Sequence, residues 1–160
     1  MLSQTPCFTT PDTIGCIPHK VTLNDCSGSS AVVYIYEEND VKDTTTSDTY
    51  TYTTGGNHTI TQLINTPSGI KSVSKTDYIK TIDRPEPNFT LYACEGLEVL
   101  IEINSDDYEK YIISYDDGSQ SDTALPFTVT KKTFLNNLEK KITVVGYYED
   151  FDCENNTSKS

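Results

Sequence analysis

The chain has no tryptophan, one methionine and only two histidines, His19 and His58, which lie far apart in sequence. Its five cysteines include no CxxC pair. That combination excludes the usual zinc-ligand spacings. Basic residues are also scarce: 12 Lys and Arg stand against 24 Asp and Glu, a formal net charge of −12. Such a surface repels phosphate backbones, which excludes nucleic acid as a partner, and it opposes docking on anionic lipid. No apolar run approaches the roughly 20 residues that a membrane-spanning helix needs, so no membrane insertion is expected. The opening residues, MLSQTPCFTT, lack the basic start and apolar centre of a signal peptide. The expectation is a chain used without such export, or one whose signal has been removed. No Ser-His-Asp set, glycine-rich phosphate loop or paired-acid motif is present. The reading is therefore of a protein that is not an enzyme, with no cofactor, no metal and no catalytic residues.

What the chain does have is Thr, Ser, Asn, Asp and 11 Tyr, with a hydrophobic share of 35% gathered into short runs. Thr and Tyr suit pleated, half-buried strands. Val21 and Leu23 alternate with polar neighbours, and Val32 to Tyr36 is short enough for a central strand. Glu37-Glu38-Asn39-Asp40 reads as a polar loop, and Thr44 to Asp48 as an edge or loop. Tyr50 to Ile64, YTYTTGGNHTITQLI, is the organising stretch: two strand-like runs flank Gly55-Gly56, which supply turn freedom. After the NTPSG turn at Asn65 to Gly69, two more strands are expected, at Ile70 to Val73 and Tyr78 to Ile82.

Asp83 to Asn88, DRPEPN, reads as a semi-rigid linker. It places two domains at 1–84 and 85–160. In the second half, Leu97, Val99, Ile101 and Ile103 alternate with polar residues. Tyr111, Ile113 and Tyr115 share a face, and Leu125, Phe127 and Val129 alternate again. Asp116-Asp117-Gly118-Ser119 is a turn. Phe134 to Lys140 has room for one helical turn, Ile142, Val144 and Gly146 mark a last strand, and Glu154 to Ser160 reads as a frayed tail. Strands every 8–12 residues or so, with turns between them, predict an all-β chain of antiparallel sandwiches.

The run YTYTTGGNHTITQ at Tyr50–Gln62 resembles the late-strand signature of PKD domains, approximately HTYTTPGTYTVTL. GCIPHKVTLNDCS at Gly15–Ser27 resembles their first strand, GCxPxxVxFxDxS, and TDYIKTI at Thr76–Ile82 resembles the closing strand. IISYDDGSQSDT at Ile112–Thr123 is similar to their central strand and turn. The chain departs from the pattern in several places, among them the central tryptophan, replaced by Val33 or Tyr34 in the first half and by Ser114 or Tyr115 in the second. EEND replaces the Asp-Gly turn in the first half, His58 stands where a tyrosine is usual, and Gln62 stands where an apolar residue is usual. The resemblance implies two tandem Ig-like (PKD-like) antiparallel β-sandwich domains, as in surface proteins of Bacteroidota and their phages.

In such a sandwich the chain ends can lie close together, which makes Cys94–Cys153 a candidate disulfide, worth roughly 4 kcal/mol if oxidised and unstrained. Among Cys7, Cys16 and Cys26, any one pairing stays open, with Cys16–Cys26 and Cys7–Cys26 ahead of the third. An odd count leaves at least one thiol unpaired in a monomer. Asp116, Asp117, Ser119 and Asp122, or Glu37, Glu38 and Asp40, are the oxygen sets that calcium would use, but neither has EF-hand spacing. His58 is expected in the corner core and His19 at the surface. Tyr147, Tyr148 and Phe151 are a candidate exposed contact patch. The function implied is non-catalytic: a virion accessory protein (capsid decoration, neck or tail component) of a phage infecting Bacteroidota. The alternative is a PKD segment of a secreted cell-surface adhesin or gliding-motility protein. Protein partners of a virion or cell-surface assembly are expected, with host surface glycan a further candidate, and the location is the virion or the extracellular surface.

Overall fold

A computed structural model describes residues 4–160. The chain divides into two compact units, Met1–Asp83 and Arg84–Ser160.

The first unit contains β1 (Phe8–Thr9), β2 (Ile14–Cys16), β3 (His19–Thr22), β4 (Asn24–Asp25), β5 (Val32–Glu38), β6 (Val41–Thr45), β7 (Thr49–Tyr52), β8 (Gly56–Thr66) and β9 (Gly69–Ile82). One layer is a five-stranded sheet in the order β2-β9-β8-β5-β6, and the facing strands pair as β1-β4 and β3-β7. β3 and β4 are consecutive halves of one strand path, separated only by Leu23, whose amide donates to the Asp48 carbonyl at 2.8 Å. β8 alternates buried and less buried residues along nearly its whole length, which is the period of two that a half-buried strand requires. Tyr34, Tyr36, Ile60 and Ile79 of the large sheet pack on Phe8, Val21, Leu23 and Tyr52 of the facing layer. With no tryptophan available, tyrosines fill the centre. Tyr36 stacks on Tyr50 at 4.6 Å between centroids, and Tyr50 meets Tyr52 edge-on at 4.8 Å.

The organising stretch crosses from one layer to the other, since β7 pairs with β3 while β8 belongs to the large sheet. The EEND segment is tighter than a loop. Glu38 pairs with Val41, and both Asn39 and Asp40 have positive φ, 51° and 62°. This is the two-residue turn whose twist matches a hairpin, and Asn and Asp are among the residues that tolerate it. The two strands expected at Ile70 to Val73 and Tyr78 to Ile82 are one 14-residue strand, β9. An irregularity in its register, between His58 and Ile60 of β8, absorbs the break in pattern.

The second unit contains β10 (Phe89–Ala93), β11 (Glu98–Ile103), β12 (Lys110–Tyr115), β13 (Asp122–Ala124), β14 (Val129–Thr133), β15 (Ile142–Tyr147) and β16 (Asn155–Lys159). A three-stranded sheet β10-β11-β14 faces a four-stranded sheet β13-β12-β15-β16, with all pairs antiparallel. Phe89, Ile101, Ile103, Tyr111, Ile113 and Val144 lie at the core centre. Both units are Ig-like β-sandwiches, and the described residues hold no α-helix.

Several expectations are corrected here. Leu97 belongs to a short turn before β11, has a positive φ of 69° and is exposed. Leu125, Phe127 and Val129 all face solvent, because the chain reverses at Phe127 (φ 54°) and Ala124 takes the core position. Phe134 to Lys140 is an irregular loop with no helical turn. Glu154 to Ser160 is no frayed tail, since β16 pairs with β15 over five residues. Its Lys159 ammonium reaches the Phe89 carbonyl and sits 4.6 Å from the Phe89 ring centroid.

The Tyr108 ring occupies the space that a Cβ on Gly146 would need. Gly146→Ala is expected to destabilise the second unit by about 1–3 kcal/mol through overpacking. Denaturant unfolding followed by tyrosine fluorescence measures it, and a change below roughly 0.5 kcal/mol, the range of surface substitutions, contradicts the packing described.

Candidate functional site

The polar residues singled out by sequence lie at strand ends, in turns and between layers, and their hydrogen-bonding atoms meet backbone groups and neighbouring side chains. Glu38, at the end of β5, accepts at Oε1 from the amides of Thr53 and Thr54 at 2.7 and 2.8 Å, and from the Thr54 hydroxyl at 2.9 Å. Its Oε2 accepts from the Tyr50 hydroxyl at 3.1 Å. Burial works to raise its pKa, but the donors from Thr53, Thr54 and Tyr50 outweigh it and hold the carboxyl below the usual glutamate range. Glu38 is thus a clamp on the β7–β8 connection.

His58 is buried against Tyr52, with the two rings stacked at 4.0 Å. The Thr81 hydroxyl donates to the Thr54 carbonyl at 2.7 Å, so it accepts from His58 Nε2–H, also at 2.7 Å. His19 is half-buried rather than surface-exposed. Its ring fills the space beside Gly15, and Nε2–H donates to the Asp12 carbonyl at 3.1 Å. Gln62 is fully buried. Its Oε1 accepts the Cys7 amide at 2.6 Å and its Nε2 donates to Asp25 Oδ1 at 2.8 Å, so one amide ties the large sheet to the residue just before β1 and to β4.

In the second unit, Asp117 Oδ1 accepts the Ser119 hydroxyl and amide at 2.6 and 2.9 Å. Asp116 Oδ2 accepts the Lys141 amide at 2.9 Å, and Asp122 Oδ2 accepts the Tyr115 hydroxyl at 2.6 Å. Among the described residues no three His, Cys, Asp or Glu side chains gather into a group that could hold a metal ion. Neither Asp116, Asp117, Ser119 and Asp122 nor Glu37, Glu38 and Asp40 converge on a common point of that kind. The candidate patch of Tyr147, Tyr148 and Phe151 is half-buried, with the Tyr148 ring tilted against Tyr108 at 5.0 Å between centroids and its hydroxyl donating to the Asp107 carbonyl at 2.7 Å.

The cysteines resolve the open pairing. Antiparallel β1 and β4 place Phe8 opposite Asp25, which brings the next residues, Cys7 and Cys26, face to face at a Cα separation of 4.9 Å, and they are bonded. Cys16–Cys26 is therefore not formed. Cys94–Cys153 is not formed either, because Cys94 keeps a free, exposed thiol. Cys94 follows β10 at the end of the unit where Ile142 begins β15, whereas Cys153 follows β15 at the other end.

One concave surface has room for a partner. A cleft of about 500 Å³ opens at the Cys94 end of the second unit. Leu91, Val99, Phe134 and Ile142 line its interior, and Cys94 and Leu138 stand with them in its wall. Leu135, on the loop forming that wall, is 97% exposed, and Leu138 is 68% exposed. Sequence reading missed this cleft, because Leu135 and Leu138 fall in a segment with no strand period. A pair of leucines in a polar, irregular loop was the signal that could have found it.

No protein-family model matches the chain, and no curated protein matches it. Among solved structures, a two-fibronectin-type-III-domain segment of chicken tenascin aligns over 96% of this chain and 97% of its own, at 12% identity and a TM-score of 0.45. The fibronectin(III)-like modules of Clostridium thermocellum CbhA align over 95% of this chain and 91% of theirs, at 12% identity and a TM-score of 0.40. Bacteroides uniformis β-glucuronidase 3 aligns with 99% of this chain, at 12% identity and a TM-score of 0.33, but only 25% of that enzyme is covered. At these scores the likenesses carry no argument. The Ig-like fold class rests on the strand order and the cores.

Glu38→Gln is expected to lower stability at neutral pH by about 1.5–3 kcal/mol, the range for hydrogen bonds to a charged group. Because the folded carboxyl has the lower pKa, its contribution is present above the unfolded value of about 4.3 and is lost as pH falls through the folded value. Urea titrations across that range should show the two proteins converging in stability at low pH. A gap that persists there contradicts the clamp.

Proposed function

We propose that the chain is a non-catalytic structural and interaction module, two Ig-like sandwiches that act by contact on an extracellular surface. The observation that carries this reading is the use made of the polar side chains. Glu38, His58, Gln62, Asp116, Asp117 and Asp122 all direct their hydrogen-bonding atoms at strands, turns and core tyrosines. Of the large apolar side chains left exposed, Leu97, Leu125, Phe127, Leu135 and Leu138 lie in the second unit, outside its strands. Catalysis needs a nucleophile, a base and a stabilising group convergent on one space, and these groups are instead bonded separately to backbone amides and to neighbouring side chains.

The PKD-like motifs of the first half support a cell-surface segment, such as part of an adhesin or gliding-motility protein. The Cys7–Cys26 bridge supports it over a phage accessory protein assembled in a reducing cytosol, since disulfides form and persist in oxidising compartments. Its partners are then proteins of the surface assembly. The prediction is that native protein, alkylated without reduction, shows Cys7 and Cys26 blocked and Cys94 labelled, and fractionates with the cell envelope or medium. Full labelling of Cys7 and Cys26, with co-purification on virus particles, would overturn the cell-surface reading in favour of a capsid, neck or tail component.

A further inference from the structure

We propose that the solvent face of the β10-β11-β14 sheet is a platform for a neutral oligosaccharide, with the Tyr92 ring in its floor and Glu102, Asn104 and Lys131 as its polar rim. The proposal rests on the reading of the chain as a contact module and names the chemistry of one partner.

The ring is held in an unusual way. Strand alternation turns Phe89, Leu91, Val99 and Ile101 inward and leaves Thr90, Tyr92, Leu100 and Glu102 on the outside. Tyr92 is 48% exposed, whereas Tyr108, Tyr111 and Tyr115 of the same unit are no more than 7% exposed. Tyr92 stands opposite Leu100, and Thr90 opposite Glu102, so Tyr92 and Glu102 are diagonal neighbours. That diagonal is about 7–8 Å. The Tyr92 hydroxyl nevertheless donates to Glu102 Oε2 at 2.7 Å. A tyrosine bridges such a diagonal by lying along the sheet, with one ring face on the strands and the other towards solvent. An aromatic face is electronegative and attracts the positively polarised C–H bonds on the flat side of a pyranose. The Glu102 bond fixes the ring before a ligand arrives, which lowers the ordering cost of binding.

The surroundings complete a sugar site. Tyr92, Leu100 and Lys131 form one row across the sheet, and Thr90, Glu102 and Val129 form the next. Leu100 and the exposed Val129 extend the apolar floor. Just past β11, the Asn104 amide donates to Thr90 Oγ1 at 2.7 Å, and Lys131 pairs with Glu98 at 2.7 Å. Each rim residue is thus positioned by one neighbour and keeps capacity to offer. Glu102 Oε1 and Asn104 Oδ1 accept no hydrogen bond among the described residues, and the Lys131 ammonium has further N–H groups. Acceptors and donors around an apolar floor are what adjacent sugar hydroxyls require.

Size and charge select the occupant. From strand spacing and rise, three strands about five residues long make a face of roughly 10 Å by 17 Å. A stable protein contact needs about 800 Å² from each partner, far more than this face, whereas a short sugar chain covers it. The net charge of −12 repels sulfated and uronic acid glycans. The class that fits is an uncharged chain of hexoses or N-acetylhexosamines.

The test is an NMR titration of the full chain with cellohexaose, mannohexaose and N-acetylchitohexaose, with polygalacturonate as the anionic control. Signals of Tyr92, Leu100 and Lys131 should move with at least one neutral sugar and stay in place with polygalacturonate. Tyr92→Ala should weaken that binding about tenfold or more without moving the denaturant midpoint. Tyr92→Phe, which keeps the ring and loses the Glu102 bond, should fall between the two. The proposal is overturned if none of the three sugars moves these signals at millimolar concentration, if Tyr92→Ala binds as its parent does, or if polygalacturonate binds equally well. Signals that move only as the concentration of the chain itself rises also overturn it and make the face a contact between copies. None of these results alters the alkylation and fractionation pattern expected of a cell-surface module, so the two readings fail separately.

Discussion

A two-residue strand cannot hold itself to a sheet by ladder bonds alone, and the first unit begins with one. β1 stays in place because side chains from the opposite layer reach it. Gln62 Oε1 takes the Cys7 amide, and the Lys75 ammonium donates to the Phe8 carbonyl at 2.7 Å while lying 4.8 Å from the Phe8 ring centroid. The Cys7–Cys26 bond closes the same strand onto β4. The second unit repeats the device, with Lys159 of its last strand set on the ring and carbonyl of Phe89 in its first. A lysine stem covers apolar surface while its ammonium finds a carbonyl and a ring face, which suits a strand at the margin of a sandwich.

That constraint also governs what the molecule is free to do. A buried polar group must be hydrogen-bonded, and breaking such a pair costs more than the pair contributes. Glu38 is bonded to the Thr53 and Thr54 amides, His58 to the Thr81 hydroxyl, and Gln62 to the Cys7 amide and the Asp25 carboxylate. The surface of the second unit offers shape, apolar area and charge. These are unevenly distributed in the second unit, with carboxylates concentrated at one end and leucines with a thiol at the other.

Much of the fold was legible wherever alternation alone decides burial. Tyr111, Ile113 and Tyr115 read correctly, as did the break between two strands at Gly55-Gly56, because strand period and glycine freedom act locally, whereas the passage from one layer to the other at that break depends on distant partners. The failures have local causes of a different kind. Leu125, Phe127 and Val129 alternate as a strand should, yet a reversal at Phe127 turns them outward, and periodicity carries no information about a φ of 54°. The polar run NNTSK looks frayed in isolation and becomes a strand only because β15 offers a free edge. The departures His58 and Gln62 looked like flaws in a motif. Their roles depend on Thr81 and Cys7, 23 and 55 residues away in sequence, which no local pattern reveals. The disulfide followed register, not chain ends. The cleft was hidden because its residues come from β10, β11 and an irregular loop.

The most direct measurement of the central claim is native-state hydrogen exchange at amides whose acceptors are side chains: Cys7, bonded to Gln62, Thr53 and Thr54, bonded to Glu38, and Gly55, bonded to Asp83 at 2.9 Å. If these side chains hold the sandwich together, the four amides exchange only with the global opening that releases β8 and β9. Exchange at Cys7, Thr53, Thr54 and Gly55 that is fast while β8 and β9 remain protected would contradict the account, because those polar groups would then be loose and available for other chemistry.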